Sequence, residues 1–241
     1  MSARAKAIFP LALVIAVISF LWTELSLNFT FNWVTDGDQT LVGFGVPSNF
    51  HLILPTCFIT YGLFFAAGGD NAAFGKIFLA TVFGSVAALI TMPLAFKTAD
   101  ANIGDEMSAS PDGPAYWGIA LWVGVFAFIL VMILVAGDWY YVAGTFPCFA
   151  AVFLWWIATG LDGYVQAPVS GSKLSGDEFL AAVGEAGAGG TGAALGLLST
   201  PWYWVWFSSW ITLVIGTCLG IITSKITAAI TPKPKAAAAE A

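Results

Sequence analysis

The chain has 241 residues, of which 59% are hydrophobic and 9% charged, and its formal net charge is −6. A soluble globular domain carries about 25% charged residues, so most of this surface does not face water. The apolar runs are continuous rather than alternating, which excludes a transmembrane β-barrel.

About 20 apolar residues cross the hydrocarbon core of a bilayer, and six runs meet that need. The first covers 7–27. It is long, and TELSLNFT after it offers no small-x-small cleavage pattern, so it reads as a retained span rather than a signal peptide. The second covers 49–68, opens with His51 and carries Pro55 near its start, where a proline frees a carbonyl and invites a kink. The third covers 73–96, and a polar connector, 98–115, follows. The fourth and fifth cover 116–136 and 139–160, with Pro147 in the first half of the fifth. Residues 161–201 form the longest insertion, which starts like a short amphipathic helix and dissolves into glycine. A surface helix, a re-entrant lid and a partner contact all suit it. The sixth span, 202–227, begins with WYWVWFSSW, the composition of an interfacial aromatic belt. The tail, 231–241, is polar and rich in Pro and Ala, without core-forming power.

Two stretches occur twice. PTCFITYGLFFAAGG at 55–69 lies over FPCFAAVFLWWIATG at 146–160, with Cys57 over Cys148, Phe58 over Phe149 and Phe64-Phe65 over Trp155-Trp156. VFGSVAALIT at 82–91 lies over VIGTCLGIIT at 214–223, with Gly84 over Gly216 and Ser85 over Thr217. Span 2 thus resembles span 5, and span 3 resembles span 6. Three spans per half is an odd number, so the second half enters the membrane from the opposite side. The expected fold is an all-α transmembrane six-helix bundle built as a 3+3 inverted-topology repeat. The first repeat is 1–97 and the second 116–230. Gly84, Gly216 and Gly220 are expected at helix contacts, where small residues let backbones approach.

With the N-terminus inside, the cytoplasmic segments hold six cations (Arg4, Lys6, Lys76, Lys225, Lys233 and Lys235) against two, Lys97 and Lys173, on the other side. This positive-inside asymmetry predicts both termini in the cytoplasm. Ten of the acids fall in the external segments, so the negative charge says nothing of acidic partners and gives no reason to expect nucleic acid.

Chemistry-bearing residues are few. His51 is the one histidine, which excludes a histidine-built metal site and bis-histidine haem ligation. No CxxC, HExxH, GxxxxGK or GxSxG motif occurs. No cofactor, metal or enzymatic activity is expected. Glu24, near the outer end of span 1, and His51 are candidates for a gate or pH sensor; His51 could also ligate a pigment, and ordinary interfacial roles explain both more simply. No charge sits at mid-membrane in spans 2, 3, 5 or 6, which argues against a proton- or cation-coupled transporter. The expected lining there is Thr56, Cys57, Thr60, Phe64, Ser85, Cys148, Trp155 and Thr217, uncharged residues that suit a small neutral solute and suit plain helix packing as well.

PTCFITYGLFFAAGG leading into FGKIFLATVFGSVAALI, then VAGTFPCFAAVFLWW and the Gly-rich WITLVIGTCLGIITSKI, resemble the bacterial inner-membrane family known as domain of unknown function ten-ninety-seven. The resemblance implies a six-span fold and an inner-membrane location. That family has no established activity, so no functional residue is carried over. The long external insertions and the tail depart from its compact form.

The function expected from these residues is a channel or facilitator for a small neutral solute, with its path at the repeat interface. The alternative is an accessory or scaffolding subunit of a larger membrane assembly. The expected partners are the lipid bilayer and either further copies of the chain or the other subunits of a membrane complex.

Overall fold

The computed structural model of the chain describes residues 3–33, 50–98, 117–159 and 201–231. The connector, the long insertion and the tail lie, apart from their edge residues, outside them. The described residues form six α-helices: α1 (Ala3–Leu27), α2 (Leu54–Ala66), α3 (Asn71–Thr98), α4 (Trp117–Met132), α5 (Val142–Ala158) and α6 (Trp202–Ile230). A π-helical turn, Asn28–Trp33, extends α1, and a 3-10 turn, Ile133–Ala136, extends α4. Four segments are long and apolar enough to cross a membrane: Arg4–Thr30, Asn71–Ala95, Gly118–Ala136 and Trp202–Ile230. α2 and α5 are shorter apolar helices.

The second span is where the observed structure departs most from the expected one. Residues 50–53 are not helical, and α2 begins only at Leu54. Pro55 stands in its first turn, where a missing N–H costs nothing, so it starts the helix instead of kinking it. Pro147 does lie inside its helix, α5. α2 ends at a tight turn in which the Gly69 N–H donates to the Phe64 carbonyl at 3.0 Å. Gly68 and Gly69 have φ values of 121° and 70° there, a region that side chains beyond glycine rarely adopt. Asp70 then caps α3, accepting the Ala73 N–H at 2.8 Å.

α2 and α6 form one of the two most extensive helix contacts, and α3 and α5 form the other. Each pair joins a helix from residues 1–97 to one from 116–230. α3 also packs on α6, and these four helices make the centre of the bundle. α1 lies against α6, and α4 lies against α3. Both outer helices expose large apolar side chains: Phe20 on α1 and Phe128 on α4 are each about two-thirds exposed.

The helices alternate in direction. Late α1 meets the start of α2, where the Trp22 indole donates to the Leu54 carbonyl at 3.3 Å. Late α6 meets the end of α2, where Ser224 donates to the Gly69 carbonyl at 2.7 Å. α1 therefore starts and α6 finishes at the same end of the bundle, and His51 lies at the other, distal end.

Candidate functional site

The α2–α6 seam is built from hydroxyls and glycines. At the distal end, residues 50–53 run beside the first turns of α6 and the π-helical turn. The His51 backbone N–H donates to Ser208 at 3.0 Å, and the Ile53 N–H donates to Thr212 at 3.3 Å. Thr30 accepts the Leu52 N–H at 3.0 Å and returns a bond to the Leu52 carbonyl at 2.9 Å. Buried non-helical backbone must find such partners inside the protein. Hydroxyl side chains supply them here.

Further along the seam, the Thr60 hydroxyl donates to the Leu213 carbonyl at 2.6 Å, and Thr217 donates to the same carbonyl at 3.0 Å. Nearer the chain termini the Tyr61 and Thr223 hydroxyls share a bond of 2.8 Å. The polar side chains thus form a series from His51 to Ser224, along the whole contact of α2 with α6. All are uncharged or, for His51, an imidazole. Among the described residues every Asp, Glu, Lys and Arg is exposed.

Between these hydroxyls the backbones touch. A Cβ at Gly216 would run into the Cys57 carbonyl and the Thr60 hydroxyl, and one at Gly220 would come within 2.6 Å of the Phe64 ring. The α3–α5 seam has the same construction. A Cβ at Gly84 would come within 2.7 Å of the Phe149 nitrogen and 2.8 Å of the Cys148 side chain. Gly84 thus faces Cys148 as Gly216 faces Cys57.

Of the candidate lining residues, Thr56, Cys57, Thr60, Phe64, Ser85, Cys148 and Thr217 are all completely buried. Cys57, Thr60 and Phe64 lie in the α2–α6 contact, whereas Cys148 lies at the α3–α5 contact. Ser85 donates to the Val82 carbonyl of its own helix at 3.3 Å. Trp155 is partly exposed on α5, with its ring 5.9 Å from that of His51. His51 itself is buried, with its ring beside Trp155 of α5 and its backbone N–H on Ser208 of α6. Glu24 stands apart from the seam. It is exposed on α1, and the Asn28 amide donates to its carboxylate at 3.0 Å.

Ser208 and Thr212 belong to the seam, yet the sequence context of the first, WYWVWFSSW, reads only as an aromatic belt. Ser208 and Thr212 are four residues apart and so share one helix face. Two hydroxyls on one face of an aromatic helix start are the signal that identifies them. No group of three His, Cys, Asp or Glu that could hold a metal ion occurs among the described residues. No protein-family model, curated protein or solved structure matches the chain.

Proposed function

We propose that the chain is a membrane facilitator for a small neutral solute, with its path along the hydroxyl-lined interface of its two halves. The buried series from His51 through Thr212, Thr60 and Thr217 to Tyr61 and Thr223 carries this reading. Hydroxyls along a helix seam replace the hydration of a neutral solute, and the absence of buried carboxylates among the described residues leaves an ion there without compensation. On this reading the seam has to part for a solute to pass, since Gly216 lies against the Cys57 carbonyl and Gly220 against the Phe64 ring.

The exchange of partners between the halves supports an inverted repeat. Swapping α1–α3 for α4–α6 carries the α2–α6 pair onto α5–α3 and carries α1–α6 onto α4–α3. The matching approaches of Gly84 to Cys148 and Gly216 to Cys57 support it further. The cation distribution supports cytoplasmic termini. The resemblance to the ten-ninety-seven family favours a bacterial inner membrane.

Reconstitution in liposomes tests the function. Wild-type protein is expected to pass water or small amides faster than empty vesicles, and Phe64→Ala to raise the rate several-fold by unblocking the seam. Rates equal to those of empty vesicles for both proteins would sink the reading.

A second reading rests on a different observation. An open groove of about 670 Å³ runs between α4 and α5, lined by apolar side chains that include Ile119, Val123, Phe146 and Leu154. An accessory subunit would use such a face against another membrane protein. Co-purification of a stoichiometric partner in mild detergent would favour it.

A further inference from the structure

Several buried polar groups among the described residues meet no partner, the Trp206 and Trp210 indoles of α6 among them, and three of these groups lie on three different helices. The Thr56 and Ser209 hydroxyls and the Trp155 indole N–H are all buried and meet no hydrogen-bond partner. Helical spacing puts all three at one level of the bundle. Ile59 of α2, Leu213 of α6 and Ala151 of α5 pack in one small cluster. One helical turn toward the distal end, these positions become Thr56, Ser209 and Trp155. Flanking contacts mark the same level: the Trp155 ring sits beside His51, whose backbone N–H is bound by Ser208, the neighbour of Ser209.

Native interiors pair nearly all buried polar atoms, so three at one junction call for a common partner. The chemistry of that partner follows from what the three groups offer. An indole N–H only donates, whereas each hydroxyl donates one proton and accepts others. No charged side chain is buried anywhere in the described residues, and an uncompensated ion in apolar surroundings is costly. A neutral molecule with a carbonyl acceptor and an N–H donor answers all three groups. Its oxygen takes the Trp155 proton and one hydroxyl proton, and its N–H donates to the other hydroxyl.

We infer that the junction of Thr56, Ser209 and Trp155 is a binding site for a small neutral amide of the size of urea or acetamide. Trp155 is the one of the three partly open to the surface, so the ligand enters by displacing its ring. That this site selects what passes along the seam rests on the function proposed above; the binding itself does not.

The test uses the full chain, labelled with ¹⁵N-tryptophan, in lipid nanodiscs. The Trp155 indole signal is assigned by its loss in Trp155→Phe. Titration with acetamide and with urea is expected to move that signal saturably. Ser209→Ala, which removes a hydroxyl without adding bulk, is expected to weaken the apparent affinity at least tenfold. Glycerol and chloride are expected to give no saturable shift. A signal that ignores amides, or follows glycerol and chloride equally, overturns the site. Parallel flux measurements separate the two ideas. Saturable amide binding without amide flux keeps the site and overturns the facilitator. Flux of water or glycerol with no amide response keeps the facilitator and overturns the site.

Discussion

A methyl group at Gly216 would collide with backbone, the Cys57 carbonyl, which has no room to yield. Overpacking of this kind costs about 1–3 kcal/mol. Gly216→Ala is therefore expected to lower the unfolding midpoint in a denaturant titration of the detergent-solubilised protein. Gly62→Ala serves as the control, because a Cβ at Gly62 meets nothing within 4 Å. An equal response from the two would mean that the α2–α6 contact is looser than it looks. At this scale the sequence was partly readable. Small residues recurring at one spacing, Gly216 and Gly220, betray a close helix contact. The partnerless hydroxyl of Ser209 was not readable, because serine beside four tryptophans has the composition of an interface, whichever way its side chain turns.

Residues 50–53 and α2 form one element in function if not in hydrogen bonding. Thirteen helical residues reach about 20 Å, well short of a hydrocarbon core about 30 Å thick. A non-helical stretch, residues 50–53, precedes them. Its N–H groups depend on side chains, so each bond has a separable cost. Thr212→Val keeps the shape and removes the acceptor of the Ile53 N–H. An unpaired buried donor costs about 1–3 kcal/mol, and the same denaturant titration should show a loss in that range. No loss would mean that another group takes up the proton. The sequence hid this break because HLIL is as apolar as any helical stretch, and hydropathy does not distinguish extended from helical backbone. Pro55 was the visible clue, and it marks a helix start as readily as a kink.

Across the molecule, six apolar runs became six helices among the described residues, in the expected order. Which helices pair was not legible from hydropathy, because lipid tails and Leu side chains are equally apolar and neither face declares its neighbour. The two closest pairs each enclose one cysteine, Cys57 and Cys148, both completely buried, whereas Cys218 is partly exposed. N-ethylmaleimide is therefore expected to modify Cys218 alone in the folded protein in mild detergent, and all three after denaturation. Mass spectrometry of the alkylated chain reads the difference. Prompt labelling of Cys57 would show that the α2–α6 seam opens spontaneously.

The hydroxyls that hold residues 50–53 also set an order of events during synthesis. Ser208 lies 157 residues after His51. Thr30, which accepts from Leu52, is already made. At about 5–20 residues per second, however, roughly 8–30 seconds pass before the acceptors of the His51 and Ile53 N–H groups are translated. For that interval the backbone of 50–53 has to be kept hydrated or shielded by the insertion machinery. The second hydrophobic segment therefore completes its placement only after the last one has left the ribosome.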